Sequence, residues 1–235
     1  MDDHRRHAAR SAAAHVIVAD LDAPMLDPAD RHHLESVLRL RPGDSVSATD
    51  GRGGWRLCSF LGSGGLQPEG EAVRGARPVP AITIGLAPVK GDRTEWAIQK
   101  LTELGVDRIV MLIAARSVVR WDTERARRHL DKLAVVARQA VMQSRQMWLP
   151  EVTGMDRADD WSGRPGVALA EPDGAAPTLD YATVLIGPEG GWTAAERESA
   201  RATVTLGPAV LRTESAAVAA GVLLTALRAG VVRPG

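Results

Sequence analysis

The chain has 235 residues, 45% of them hydrophobic, which is enough for one large domain or two modest ones. Its 29 basic and 29 acidic residues cancel, which argues against a protein that binds nucleic acid by bulk charge alone. The lone Cys58 excludes an internal disulfide framework, and the longest apolar stretch, residues 215–227, is too short to span a bilayer. With no recognisable signal peptide, we expect a cytoplasmic protein without membrane association.

The first third of the chain is predicted to form a small β-rich module. Asp27 is a candidate N-cap and Pro28 a candidate first residue of a helix, which would bury Leu34, Val37 and Leu38. A glycine-rich turn at residues 50–54 is typical of a hairpin connection. Strands are predicted at residues 16–19, 46–49 and 55–61, with one more strand and a linker within 62–80.

From residue 81 onward, strands and helices are predicted to alternate, which favours a parallel sheet covered on both faces. The predicted strands are 81–86, 107–113, 167–170, 183–186 and 203–206, and the predicted helices are 92–104, 123–144 and 214–229. The last helix is apolar on nearly every side, a pattern typical of a fully buried helix. In a chain of this size, we expect it to lie between its own sheet and a partner subunit.

Two glycine-containing loops, residues 185–192 and 206–215, each follow a short β-branched strand and lead into an Ala-rich helix. If the two units lie side by side, the loops form a cleft at the carboxyl ends of parallel strands, where α/β proteins bind ligands. Neither loop matches GxxxxGK[ST] or GxGxxG, so we expect a ligand that is not held by its phosphates. The alternative is a pair of ordinary turns.

Basic residues are concentrated between residues 116 and 145, where eight arginines and lysines against three acidic residues leave an excess of five positive charges. Such a patch is either a nucleic-acid footprint or a solvated helix face. The six histidines and one cysteine show no metal-ligand spacing, so no metal site is predicted.

Taken in order, several segments resemble the RsmE family of the SPOUT class of RNA methyltransferases, which methylates N3 of a uridine in 16S ribosomal RNA. The resemblance runs from about residue 16 to residue 227. The matching segments are His32-His33-Leu34 with residues 37–40 and 42–44, Lys90-Gly91-Asp92-Arg93, residues 99–106, Arg116-Ser117-Val118, Gln143-Ser144-Arg145 with Pro150, residues 187–191, and Leu211-Arg212-Thr213-Glu214.

The resemblance implies an α/β fold in two parts: a PUA-like, RNA-binding β-barrel over residues 1–78, and a SPOUT methyltransferase domain with a deep trefoil knot over residues 79–235. It further implies a homodimer, S-adenosylmethionine as the methyl donor, the small ribosomal subunit or its RNA as the substrate, and no metal. The nearest alternatives are a SPOUT enzyme that methylates a ribose 2′-hydroxyl and a non-catalytic RNA-binding assembly factor.

On this basis three sets of site residues are expected. The donor site comprises Leu169, Ala170, Ile186, Gly187, Pro188, Glu189, Gly190, Gly191, Leu206, Gly207, Leu211, Arg212 and Thr213. RNA contacts are expected from Arg10, Arg39, Arg41, Lys90, Arg93, Lys100, Arg116, Arg138 and Arg145.

The third set is catalytic, because methylation of uracil N3 needs the loss of a proton that is largely retained at neutral pH. Arg212 and Arg145 are candidates to stabilise the developing uracil anion, and Glu214 or Glu189 is the candidate general base. Helix capping is the alternative role for both glutamates. A reaction that runs on proximity alone, without a dedicated base, is the alternative mechanism.

Overall fold

The computed structural model describes residues 11–63, 65–119 and 121–233. The chain forms two compact units: one of Met1–Arg77 with Arg138–Leu149, the other of Pro78–Ala137 with Pro150–Gly235. Among the described residues, no helix combines the length and apolar character that a membrane crossing requires.

The first unit is built on a four-stranded sheet. Its strands, in spatial as well as chain order, are β1 (Ala14–Ile17), β2 (Ser45–Thr49), β3 (Gly54–Gly62) and β4 (Gly65–Arg74). The pair β1 and β2 is parallel, and the remaining pairs are antiparallel. Val16, Val46 and Phe60 form the centre of its core together with Leu34 from the helix that follows β1. The predicted hairpin between residues 46 and 61 is confirmed.

That helix begins as predicted, because the Asp27 carboxylate accepts a hydrogen bond from the Asp30 N–H at 2.8 Å and Pro28 is the first helical residue. It comprises α1 (Pro28–His32) and a π-helical segment (His33–Val37). The predicted apolar face is wrong in part: Leu34 is buried, but Val37 is 61% and Leu38 is 43% exposed. The wider π turn rotates these two side chains away from the core.

The second unit contains a six-stranded sheet in which every pair is parallel, as the alternating pattern predicts. Its strands are β5 (Thr83–Leu86), β6 (Arg108–Ile113), β7 (Glu151–Arg157), β8 (Val167–Ala175), β9 (Thr183–Ile186) and β10 (Thr203–Val204). Their spatial order is β10-β8-β9-β5-β6-β7. The expectation that the strands before the two glycine loops are neighbours is therefore wrong, because β8 pairs with both of them.

The helices that begin in this unit are α2 (Arg93–Glu103), α3 (Thr123–Ser144), α4 (Asp159–Ser162), α5 (Ala194–Ser199) and α6 (Thr213–Arg228), with a 3₁₀ turn at Leu179–Tyr181. The three helices with predicted bounds, α2, α3 and α6, begin and end within one residue of the prediction. As expected, α6 packs against its own sheet; its burial on the other side by a partner subunit stays a prediction. One face, with Ala217, Ala220 and Leu224, is buried, whereas Val222 is 44% exposed. On α2, Trp96 is likewise 44% exposed.

Several contacts attach residues 138–149 to the rest of the first unit, among them the backbone hydrogen bonds from the Gly53 N–H to the Met147 carbonyl oxygen and from the Leu149 N–H to the Gly51 carbonyl oxygen, each at 2.9 Å. Arg138 donates hydrogen bonds to the carboxylates of Asp27, at 2.8 Å, and Asp30. His15, which is buried, shares a hydrogen bond with the Ser47 hydroxyl at 2.7 Å and donates to the Gln146 carbonyl oxygen at 3.0 Å. Burial lowers the pKa of His15 to about 4; the hydrogen bond to Gln146 opposes the shift and the Arg145 charge adds to it.

We expect His15 to make the protein less stable as the pH falls from 6.5 to 4. The folded-state pKa lies below the ordinary value, so unfolding takes up a proton in this window. The expected loss in unfolding free energy between pH 7 and pH 5 is about 2 kcal/mol. Urea unfolding of the wild type and His15→Gln at both pH values measures it. The exposed His33→Gln is the control and should retain the wild-type pH dependence.

Candidate donor-binding cleft

An open cleft lies at the carboxyl ends of β9 and β10 and beside the middle of β8, between the two glycine-containing loops. Its lining residues come from the middle of β8, from the end of β9 and the loop after it, and from the loop before α6 with the first turn of that helix. They are Ala170, Glu171, Pro172, Ile186, Gly187, Pro188, Glu189, Gly191, Trp192, Leu206, Gly207, Ala209, Val210, Leu211, Thr213 and Ala216. The cleft therefore lies at the sheet edge where parallel α/β folds bind ligands.

Most of the residues expected at the donor site are brought together here. Three of the expected residues do not line the cleft: Leu169 is fully buried beneath it, Gly190 packs against Arg116, and Arg212 is an exposed N-cap residue of α6. Sequence reasoning missed Glu171, Pro172, Trp192, Ala209, Val210 and Ala216. Each lies within three residues of an expected one. The sequence therefore located the segments that line the cleft but made each segment too short.

The Trp192 side chain fixes the first loop against the sheet. Its indole N–H donates to the carbonyl oxygen of Ala170 at 3.2 Å, and the ring is 2% exposed. A Cβ atom at Gly187 would lie 3.1 Å from this ring, so a residue larger than glycine would press the loop against the indole. Arg116 holds the other end of the loop, donating to the carbonyl oxygens of Gly190 at 3.0 Å and Trp192 at 3.2 Å.

A capping box at the start of α5 continues this support. The Glu196 carboxylate accepts from the backbone N–H of Thr193 and from that of Ala115, each at 2.8 Å. Burial would raise the pKa of Glu196, but these hydrogen bonds hold it below its ordinary value. Sequence reasoning missed Glu196, although the spacing Thr193-x-x-Glu196 ahead of a helix is a recognisable signal.

The two loops are joined directly, because the Thr213 hydroxyl donates to the carbonyl oxygen of Gly187 at 3.0 Å. In the second loop Gly207 has φ +129°, a conformation that favours glycine. The apolar side chains of Val210, 92% exposed, and Leu211, 39% exposed, stand at the mouth of the cleft. A ligand in the cleft would cover apolar surface that is otherwise exposed to water.

Glu214, the second residue of α6, is buried beside the cleft, with 6% of its surface exposed. One carboxylate oxygen accepts from the Arg93 guanidinium at 3.2 Å, and the same guanidinium lies 3.8 Å from Glu189. Among the described residues, the other Glu214 oxygen has no hydrogen-bond partner. Arg93, expected as an RNA contact, therefore bridges the two candidate general bases.

The charge of the cleft restricts its ligand. Its lining includes the carboxylates of Glu171, 3.7 Å from the Arg197 guanidinium, and Glu189, 3.8 Å from that of Arg93, and contains no lysine or arginine. Such a site disfavours phosphate and favours a cationic or neutral ligand. Among residues 11–63, 65–119 and 121–233, no group of three histidine, cysteine, aspartate or glutamate side chains is arranged to hold a metal ion.

The residues expected to contact RNA lie in both units. In the second unit Lys100 pairs with Glu103 at 2.9 Å, whereas Lys90 is exposed.

In the first unit Arg39 and Arg41 are exposed, and Arg145 lines a groove between β1 and the start of α1. Arg39 and Arg145 have φ +55° and +56°, uncommon for side-chain-bearing residues. Arg138 is held in the ion pairs described above, and Arg10 lies outside the described residues.

Two family models match the chain. One, described as an RNA methyltransferase domain, matches residues 76–225, and the other, an RNA methyltransferase PUA domain, matches residues 26–65. Among curated proteins, ribosomal RNA small subunit methyltransferase E of Mycobacterium bovis is 33% identical over 218 residues, which cover 83% of each chain.

Solved structures with similar folds agree with these matches. A probable rRNA-methyltransferase from Porphyromonas gingivalis has a TM-score of 0.77 and 26% identity, covering 93% of this chain and 100% of that one. The methyltransferase Lpg2936 of Legionella pneumophila, solved in complex with the cofactor SAM, has a TM-score of 0.77 and 25% identity, covering 90% and 96%.

Proposed function

Since the chain belongs to the RNA methyltransferase family that includes ribosomal RNA small subunit methyltransferase E, we propose that it methylates N3 of a uridine in 16S ribosomal RNA. The methyl donor is S-adenosylmethionine, the cofactor with which the Legionella relative was solved. The observation that carries the proposal is the cleft formed by both glycine-containing loops, with two carboxylates and no basic residue in its lining.

The cleft suits S-adenosylmethionine in shape and charge. The donor's sulfonium, ammonium and carboxylate groups leave it with a net positive charge, which the carboxylates of Glu171 and Glu189 complement. The apolar side chains of Ile186 and Leu211 and the Cβ-free backbone of Gly187 offer an adenine ring an apolar slot with backbone donors and acceptors. We assign the donor to this cleft, with Leu169 supporting it from below and Arg212 at its edge.

When bound, S-adenosylmethionine supplies an electrophilic methyl group; the chain must orient the uracil and remove its N3 proton. Glu214 is our assignment for the general base, because it is buried beside Thr213 of the cleft and Arg93 fixes one of its oxygens. The Glu214 carboxylate would accept the N3 proton, so that uracil N3 presents the electron pair that displaces the neutral thioether of the donor from the methyl group. The exposed Arg212 guanidinium, at the preceding residue, stabilises the charge that develops on the uracil oxygens. Arg145 is a second candidate for this role, although it belongs to the other compact unit.

For RNA binding we assign residues 1–78 as a PUA-like domain and residues 79–235 as the SPOUT domain. The groove of the first unit supports this assignment, because it combines His32, His33 and Arg145 with the exposed Val37 and Leu38. Imidazole and guanidinium planes are groups on which unpaired bases stack. The expected substrate is the small ribosomal subunit or its RNA, in the cytoplasm.

The half-exposed apolar face of α6 supports a homodimer. Val222 on α6 and Trp96 on α2, a helix that packs against α6, are each 44% exposed. A second copy of the chain would bury both of these side chains. We further propose that the chain around residues 183–228 forms the deep trefoil knot that the family resemblance implies.

We expect 3-methyluridine to form when the purified protein, S-adenosylmethionine and small subunits lacking native methylation are incubated together. The RNA is then digested to nucleosides and examined by mass spectrometry. Detection of a 2′-O-methyl nucleoside instead would support the donor site but show that a ribose hydroxyl, and not uracil N3, is methylated. Absence of both methylation and donor binding would favour the non-catalytic assembly factor instead.

A further inference from the structure

A second groove of the methyltransferase unit lies beside the loop that leads from β5 into α2. Its floor is apolar, with Val89 and Leu133 buried, and its walls carry Trp121 and His129. The Thr94 hydroxyl fixes the loop by accepting from the Val89 N–H at 3.0 Å and donating to the Val89 carbonyl oxygen at 3.2 Å. The groove is thus bounded by a fixed loop and a long helix.

Two aromatic rings are already stacked in its wall. The rings of Trp121 and His129 have centroids 4.1 Å apart and planes within 6° of parallel. Trp121 is half-buried, so its indole is held flat by the imidazole while part of it remains accessible to solvent. A rigid, partly exposed aromatic platform of this kind is what unpaired nucleobases stack on, with little dependence on base identity.

Positive charge surrounds this platform. The exposed side chains of Lys90 and Arg125 line the groove, and neither has an ion-pair partner within the part of the chain that the structure describes. The one carboxylate in the lining, Glu95, is neutralised by Lys132 at 2.5 Å. Burial opposes the shift, but the hydrogen bond from Lys132 lowers the pKa of Glu95, so its charge stays paired. The groove therefore attracts an anion.

We propose that this groove binds one unpaired nucleotide of the RNA, its base stacked on Trp121 and its phosphate between Lys90 and Arg125. The site rests on the proposed function for its ligand class. It is separate from the donor cleft, because the two grooves share no lining residue. The proposed site adds Trp121, His129 and Arg125 to the residues that hold the RNA substrate. Arg125 belongs to the basic segment of residues 116–145, so part of that segment then binds one specific phosphate.

The test is the affinity of the full-length protein for a fluorescent single-stranded 12-nucleotide RNA, measured over a range of salt concentrations. We expect Trp121→Ala to weaken binding about tenfold, since one stacked base is lost. Trp121→Phe keeps an aromatic face and should remain within about twofold of the wild type. Arg125→Gln should reduce the salt slope by about 0.7, the contribution of one phosphate contact on a single strand.

Arg127→Gln is the matched control, because Arg127 is exposed on the same helix but does not line the groove. If it changes affinity and salt slope as much as Arg125→Gln does, the effect is general charge and the site is rejected. Equal competition by a 12-base-pair RNA duplex would reject an unpaired nucleotide as the ligand.

The site and the proposed function fail in different ways. Methylation of small subunits by a protein whose RNA affinity is unchanged by Trp121→Ala and Arg125→Gln would reject the site alone. Loss of affinity in both variants, in a protein that forms no methylated nucleoside, would support the site and reject the proposed reaction.

Discussion

We expect Asp107→Ala to lower the free energy of unfolding by about 3–5 kcal/mol, because it leaves the buried Arg228 guanidinium without its counter-charge. Arg228 is 10% and Asp107 6% exposed, measured on their side chains. The same Asp107 carboxylate accepts from the Ile82 N–H at 2.9 Å, so the substitution also removes a buried hydrogen bond. The pair links the end of α6 to the start of β6, and the Ile82 N–H connects the same carboxylate to the start of β5.

Urea unfolding of the wild type and the variant measures this effect. Glu151→Ala is the control: Glu151 pairs with Arg108, the residue next to Asp107, at 2.6 Å, but both side chains are about half exposed. An exposed pair of this kind contributes less than about 1 kcal/mol. Equal losses from the two substitutions would show that burial of the Asp107–Arg228 pair is not what makes it important.

Arg228 retains two carbonyl acceptors in the Asp107→Ala variant, Pro80 at 3.2 Å and Gly105 at 2.8 Å. They accept hydrogen bonds from Nη1 and Nη2 of the guanidinium but do not balance its charge. The double variant Asp107→Ala with Arg228→Met should therefore recover part of the lost stability, because replacing a buried ion pair by apolar groups is often close to neutral.

The sequence predicted those helices and strands that are determined by residues close together in the chain. The amphipathic pattern of α3 gave its bounds, residues 123–144, and Asp27 with Pro28 gave the start of α1. The edge strand β7 was missed because Gly154, at φ +124°, interrupts a polar segment that has little apolar alternation. The exposed positions of Val37 and Leu38 depend on a π turn that no residue pattern indicated.

In the candidate site, too, the sequence predicted what depends on neighbouring residues and missed what depends on the tertiary fold. Glycines and their flanking strands located the two loops, but the strand order decides what lies between them, and β8 supplies Ala170 and Glu171. The pairing of Arg93 with Glu214 joins side chains 121 residues apart. No local pattern specifies such a contact, so sequence reasoning assigned Arg93 to RNA and left the choice between Glu189 and Glu214 open.

We expect Glu214→Gln to lower kcat by about 10²- to 10⁴-fold while leaving S-adenosylmethionine affinity close to that of the wild type. The amide keeps the size of the side chain but accepts a proton poorly. Glu214 does not line the donor cleft, which is why donor binding should survive. Steady-state methylation of small subunits at saturating substrate measures kcat, and calorimetric titration measures donor affinity.

Glu189→Gln is the matched comparison, because Glu189 contacts the same Arg93 guanidinium, lines the cleft and is 46% exposed at its side chain. A role in holding the cationic donor predicts weaker donor binding with a smaller change in kcat. A large kcat loss in Glu189→Gln alone would move the base to Glu189.

Helix capping is the remaining alternative for Glu214, and stability separates it from catalysis. A carboxylate in the first turn of a helix contributes about 0.3–1 kcal/mol, up to roughly 2 kcal/mol when partly buried. Capping alone therefore predicts that Glu214→Gln lowers the melting temperature by a few degrees and leaves kcat unchanged. If neither glutamate variant loses turnover, uracil N3 is methylated without a carboxylate base. The activation barrier for methyl transfer is then lowered by proximity and by cations near the uracil oxygens. Arg212 is the first of these cations to test by substitution.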